Sequence, residues 1–173
     1  MRAAGIAQAY IVLREGKWDI PAYFRDGSLV DMALGYLMMG LPFGVPYTLD
    51  QAYPFVQHST VALGFPDIVS QADDPFSQLL SHQVRSGADV VLGLFPADRP
   101  DKVDMVDVED ARVRRLFMKP IATALTYTWG LAVWTPVFTQ FMHDHVASRK
   151  GRAVDQRELF LGDVIQAAIE KDV

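Results

Sequence analysis

The chain has 173 residues, 50% of them hydrophobic, with 21 acidic and 16 basic side chains, a net charge of -5 and no cysteine. That length buries one sizeable core, and the ordinary charge content excludes a disordered chain. The acidic balance excludes the clustered cationic surface of a nucleic-acid binder, and the missing cysteines exclude disulfides and thiolate metal sites. No apolar run is long enough to span a bilayer, and Met1-Arg2-Ala3-Ala4-Gly5 leads straight into a strand-like segment, so neither a membrane span nor a signal peptide is expected. A single cytoplasmic enzyme or binding domain over residues 1–173 is the default.

Strands and helices alternate along the chain. Residues 9–13 (AYIVL) form a short apolar, β-branched run that predicts a buried strand. Residues 19–27 (DIPAYFRDG) predict a short helix with Asp19 as cap, Pro21 in the first turn and Gly27 closing it. A second strand is expected over 30–39, then a Gly/Pro loop over 40–46 (GLPFGVP). Thr48 and Gln51 have the spacing of a capping box for a helix to about Val56, with Pro54 shortening it. A strand over 60–63 precedes the clearest helix, 75–86, whose Phe76, Leu79, Leu80 and Val84 share a face and whose end is marked by Gly87. The continuous apolar run 88–97 predicts a strand covered on both faces. Residues 103–108 and 113–118 flank a turn and predict a hairpin, and 125–134 predict a further strand. Thr135-Pro136 opens a helix to about Ala147, 148–156 is a polar loop, and 158–171 is a last helix. Such alternation implies a mostly parallel α/β sheet with helices on both faces, and ligand groups then gather beyond the carboxyl ends of the strands.

Several residues stand where chemistry is expected. Asp67 ends VALGFPD just past the strand; it reads either as a turn residue bonding nearby amides or as a Mg²⁺ ligand completed by water and phosphate. Lys119, in RRLFMKP, reads as a phosphate-neutralising point charge or as a solvated edge lysine. Gly44, before a helix, would let a ligand approach the backbone, although the segment is neither a P-loop nor a GxGxxG. Gly130, beside Trp129, counts as a pocket-bordering, substrate-binding position, while Trp129 and Trp134 themselves fit the core better. His143 and His145 are two apart on a helix and face different ways, so a shared metal is not expected. Asp98, Asp101, Asp104, Asp107, Glu109 and Asp110 read mainly as loop and turn residues.

The order of RAAGIAQAYIVL, FGVPYTLDQAYPFV, VALGFPDIV, PFSQLLSHQVRSGADVVLGLFPAD, ARVRRLFMKP, TWGLAVWTPVFTQF and RELFLGDVIQAAIE resembles the sugar-phosphate nucleotidylyltransferases of the glucose-1-phosphate thymidylyltransferase type. The resemblance covers the whole chain but only the middle of such an enzyme, so the domain is expected to be incomplete at both ends. It implies a Rossmann-like three-layer fold with a mostly parallel mixed sheet lacking the usual first strand. It further implies coupling of a sugar 1-phosphate to a nucleoside triphosphate with release of pyrophosphate. The family's Leu-Gly-Asp stands here as Leu63-Gly64-Phe65-Pro66-Asp67, which makes Asp67 the implied Mg²⁺ ligand. Its Glu-Lys-Pro becomes Met118-Lys119-Pro120, which puts Lys119 on the sugar phosphate, and Gly44 matches the glycine lying against the nucleotide. Met39 falls near a base-reading Gln, and Asp104 near a sugar-contacting Gly.

The glycine-rich triphosphate loop and the later Asp-x-Gly of that family are missing. Little turnover is therefore expected of this chain alone, and association between copies through the strand edges left unpaired is expected too. The alternatives are a degenerate protein that binds a nucleotide or sugar phosphate without turnover, and a glycosyltransferase-like domain of the same architecture.

Overall fold

The computed structural model describes residues 1–40, 44–68, 74–149 and 158–173. Strand β1 (Gln8–Leu13) is joined through helix α1 (Asp19–Phe24) to β2 (Ala33–Met38), and the two strands pair in parallel from Gln8↔Ala33 to Leu13↔Met38. A parallel return requires a crossover, and α1 with the 3₁₀ turn Ser28–Val30 supplies it. The predicted strand over 30–39 is accordingly shortened at its start.

A second sheet holds β3 (Val61–Gly64), β4 (Val90–Pro96), β5 (Met105–Glu109), β6 (Arg112–Phe117) and β7 (Tyr127–Trp134). Strand β7 is its hub. It runs antiparallel to β3 and to β4 along residues 131–134, and to β5 at Tyr127 and Thr128. Strands β3 and β4 therefore point the same way, with β7 returning against both. The architecture is the expected mixed α/β fold, but the parallel relation of β3 and β4 is indirect, because β7 takes the hydrogen bonds that simple alternation would assign to them. The β5–β6 hairpin closes on Asp110 and Ala111, both at positive φ (51° and 59°), the geometry of a tight hairpin turn. Among the described residues, no ladder joins the β1–β2 pair to the larger sheet.

Helices cover both faces of the larger sheet. Helix α4 (Pro75–Ser86) begins at Asp74, whose side chain accepts from Ser77 N at 3.3 Å, and stops at Gly87 with φ 68°. Its Phe76 and Leu79 pack against Val91, Leu131 and Val133. Val84, expected on that face, is 79% exposed. Gln83 occupies the inward position of the last turn instead, its amide donating to Ala88 O at 3.1 Å.

The opposite face carries α5 (Pro136–Arg149) and α6 (Leu161–Ile169). Phe138, Met142, Val146, Val164, Ile165 and Ala168 meet Val106, Leu116, Ala132 and Trp134 there. Burying a side chain the size of Val or Phe stabilises by about 1.5–3 kcal/mol, so this cluster is the principal core. Trp134 Nε1 donates to Thr139 Oγ1 at 2.9 Å inside it.

Around residue 48 the sequence reading needs correction. Helix α2 (Val45–Asp50) starts at Pro46's turn with Gly44 as its cap, so Thr48 lies inside the helix, its hydroxyl bonded to Gly44 O and Met39 Sδ. Pro54 does not shorten that helix but opens a separate one, α3 (Tyr53–Val56), since proline's fixed φ suits a first turn. Of the predicted polar loop 148–156, Ser148 and Arg149 belong to α5 and 150–156 lie outside the described residues, as do 41–43 of the predicted Gly/Pro loop. No helix among the described residues is long and apolar enough to cross a membrane.

Candidate functional site

The pairing registers bring several chain segments to one end of the larger sheet. Gly64, the last residue of β3, pairs with Leu131, so β3 ends at the middle of β7 and points towards its start. Strand β4 finishes there as well, with Phe95 opposite Thr128. Thr128 also pairs with Met105, the first residue of β5, and Met105 with Phe117, the last of β6. Asp67, three residues beyond β3, and Lys119, two beyond β6, thus leave the sheet at the same end. Asp67 sits exposed in a turn closed by Ile68 N to Phe65 O at 3.2 Å.

Gly130 marks a bulge. Gly93 pairs with Leu131 but Leu94 pairs with Trp129, leaving Gly130 as the extra residue on β7. The bulge reverses the alternation, so Trp129 joins the same core as Ala132 and Trp134 rather than the α4 face of Leu131. A Cβ on Gly130 would lie 2.4 Å from Ile68 Cδ1 and 2.7 Å from Phe95 Cζ. The position expected to border a ligand is thus occupied by Ile68, the neighbour of Asp67, and Trp129 meets Phe65 edge-on at 6.2 Å.

Lys119 is held more closely. Its backbone is at φ 44°, uncommon for a residue with a side chain, and its ammonium lies 4.7 Å above the Phe160 ring. Asp104 stands immediately before β5. Burial pushes the Asp104 carboxyl above its ordinary value; the Lys119 ammonium opposes that rise and the Asp163 carboxylate adds to it. Asp104's own carbonyl accepts from Thr128 Oγ1 at 2.7 Å, which ties it to β7.

On the other side stands the first turn of α6. Asp163 Oδ2 accepts from Phe160 N at 3.0 Å and so orients the residue carrying the ring. A Cβ on Gly162 would sit 2.8 Å from Asp104 Oδ2 and 3.1 Å from Met118 Sδ, so a side chain there would press on both of them. Asp104, Phe160 and Gly162 were not singled out as one group by the sequence. The tripeptide Leu161-Gly162-Asp163 was the available signal, an uninterrupted Leu-Gly-Asp that begins a helix instead of ending a strand.

Gly44 is drawn to the same neighbourhood by a protein contact. At φ 122° and ψ 166°, a Cβ there would lie 2.2 Å from Leu159 O, so its close approach is to the backbone just before Phe160. Met39 lies alongside, its sulfur accepting from Thr48 Oγ1 at 3.2 Å.

His143 and His145 diverge as their spacing predicts. His143 Nδ1 is 2.7 Å from the buried Asp50 Oδ1, and its ring stacks on Tyr53 with centroids 3.8 Å apart, joining α2 and α3 to α5. His145 turns towards Phe141 and α6; burial, then the charges of Arg149 and Lys171, lower its pKa, with Asp163 opposing. Among the described residues, no group of three or more His, Asp or Glu side chains is placed to hold a metal ion.

No protein-family model matches the chain. No curated protein matches it either. Solved structures do. One from Bacillus anthracis, named as a glucose-1-phosphate thymidylyltransferase and solved with sucrose, superposes with a TM-score of 0.85 at 13% identity, covering 99% of this chain and 68% of its own. A UDP-glucose pyrophosphorylase complexed with UDP-glucose gives 0.79 at 13% identity over 98% of this chain and 72% of its own. An apo UDP-glucose pyrophosphorylase gives 0.75 at 11% identity over 98% and 72%. The chain therefore has the fold of nucleotidyltransferase structures. Within that class it is similar to enzymes named for glucose-1-phosphate thymidylyl transfer and UDP-glucose pyrophosphorolysis.

Proposed function

We propose that the protein is a sugar-1-phosphate nucleotidyltransferase-like domain that binds its two phosphate substrates at the end of the sheet where Asp67 and Lys119 emerge. The observation carrying this reading is the convergence of those two residues at one sheet end in a chain of this fold. In the reaction, an oxygen of the sugar phosphate bonds to the α-phosphorus of a nucleoside triphosphate. The bond from that phosphorus to the bridging oxygen breaks, and pyrophosphate leaves with the electron pair. Lys119 would neutralise and orient the incoming sugar phosphate, which is the positioning that phosphoryl and nucleotidyl transfer rely on.

Asp67 fits Mg²⁺ by donor chemistry: a single exposed carboxylate suits a hard ion that keeps several waters and takes phosphate oxygens. Bound there, the ion would offset the phosphates' negative charge. A second reading, binding without turnover, is favoured by that same exposure, because one solvated carboxylate holds the ion weakly. Little turnover is expected of the 173-residue chain.

Calorimetry with glucose 1-phosphate, and separately with Mg²⁺ and dTTP or UTP, tests the site. Lys119→Met should weaken the sugar phosphate about tenfold or more and spare the nucleotide, as loss of a charged contact of ~1.5–3 kcal/mol requires. Asp67→Asn should show the opposite pattern without changing the melting temperature. Pyrophosphate release in the same samples separates turnover from binding alone. Absence of binding for every sugar 1-phosphate and nucleotide tried would sink the proposal.

A further inference from the structure

We propose that the outer edge of β4 takes an extended segment of a partner protein, apolar on one side and acidic on the other, as an added strand. Strand β4 pairs with β7 along one edge, and among the described residues no strand pairs with the other. Two bonds fix which of its backbone groups point outward: Thr135 N donates to Asp89 O at 2.9 Å, and Ala97 N to Thr126 O at 2.9 Å. Ladder bonds alternate along an antiparallel strand, so Val91, Gly93 and Phe95 also bond towards β7. Val90, Leu92 and Leu94 therefore aim their N–H and C=O groups away from the sheet, in register for one more strand.

A groove of 1040 Å³ lies along that edge. It is lined by α4 from one face of the sheet and by α6 and the β5–β6 turn from the other, which only a site at the edge allows. The α6 wall is apolar, with Val113, Ile165 and Ile169 beside Val90, Leu92 and Leu94. The α4 wall is polar: Gln78, His82 and Arg85, spaced four and three residues apart, form one stripe of the helix. Arg112 stands at the hairpin end. Arg85 and Arg112 are exposed, and among the described residues neither makes an ion pair. The carboxylates lining the groove are Asp89, which accepts from the Thr135 hydroxyl, and Asp172 past the end of α6, so the α4 wall itself carries no acid.

A bare strand edge calls for an extended chain, whose side chains alternate between the two walls. Every second residue of the partner then meets the apolar wall of α6, and the residues between them bring carboxylates to His82 and Arg85. A further carboxylate where the strand leaves the groove meets Arg112. Strand β4 of a second copy is a poorer match, because it has no carboxylate between Val90 and Pro96 and would leave both arginines without a counter-charge.

The test uses the purified protein and a fluorescein-labelled peptide of about nine residues, the length of a strand, alternating valine with glutamate. The same peptide with lysine in place of glutamate is the control. Fluorescence anisotropy should show the glutamate peptide binding about fivefold or more tighter than the lysine peptide, since each arginine attracts one and repels the other. Arg85→Glu combined with Arg112→Glu should reverse that order while leaving the melting temperature unchanged, both side chains being exposed. Amide exchange read by NMR on the unmutated protein locates the peptide. Without it, Val90, Leu92 and Leu94 should exchange faster than Val91 and Gly93; at about ten times the dissociation constant the peptide should slow those three about tenfold. A glutamate peptide that does not bind, or that binds without slowing the three amides, would overturn the inference. Slow exchange of the three amides in the protein alone would overturn it too. Where that slowing grows with protein concentration and sedimentation shows a dimer, a second copy holds the edge instead.

Discussion

Replacing Gly44 by alanine should destabilise the protein far more than the same change at Gly16, although both residues have positive φ. Gly16 lies at φ 84° with nothing within 4 Å of its missing Cβ, so alanine there costs only the left-handed conformation, about 1–2 kcal/mol. Gly44 is at φ 122° and ψ 166°, a region essentially reserved to glycine, at a cost of about 1–3 kcal/mol. Its new methyl would also stand 2.2 Å from Leu159 O, more than an ångström short of ordinary contact. The obstructing atom belongs to a backbone, so it cannot swing aside, and overpacking of that kind costs a further ~1–3 kcal/mol. Together these come to roughly 2–6 kcal/mol, a large part of the 5–15 kcal/mol typical of a whole domain. At about 2–4 °C per kcal/mol for a chain of this size, the melting temperature should fall by roughly 10 °C in Gly44→Ala and about 4 °C in Gly16→Ala. Calorimetric or circular-dichroism melts of the two variants decide the matter. Equal melting temperatures would show that α2 and the segment before Phe160 are not pressed together as described.

Thr139→Val should leave the buried Trp134 Nε1–H without its acceptor and cost about 1–3 kcal/mol, read as a lower urea midpoint with an unchanged slope. His145 should make stability depend on pH. Its folded pKa lies below the ordinary 6.5, so full stability is present above that pH and is lost as the pH falls below it, until the folded ring itself takes the proton. Urea midpoints between pH 7.5 and 5.5 should therefore fall more steeply in the native protein than in His145→Gln; identical profiles would rule His145 out as the cause.

The elements themselves were legible from local rules. Helix α4 has the predicted bounds because Asp74-Pro75 and Gly87 punctuate it, and those signals act within one turn of the chain. The β5–β6 hairpin and β7 were visible for the same reason, as apolar runs separated by polar turn residues. The candidate site divides along the same line. Asp67 and Lys119 could be picked out because each follows directly on a strand whose end the sequence marks.

What they face is non-local. Asp104 looked like one more acidic loop residue, and nothing within its neighbourhood in sequence announces Phe160 or Gly162, more than fifty positions away. Only the packing of α6 against β6 and the pairing of β5 with β7 brings them together. The cap of α2 was misplaced to Thr48 because the Thr-to-Gln spacing is a local pattern, whereas the helix start is set by Gly44 fitting against Leu159. Likewise the strand–helix alternation did imply helices on both faces, but the placing of β7 between β3 and β4 is a pairing between strands far apart in the sequence. Backbone conformation is chosen by neighbours a few residues apart; pairing, close glycine contacts and the burial of a charge are chosen by whatever the completed fold brings alongside.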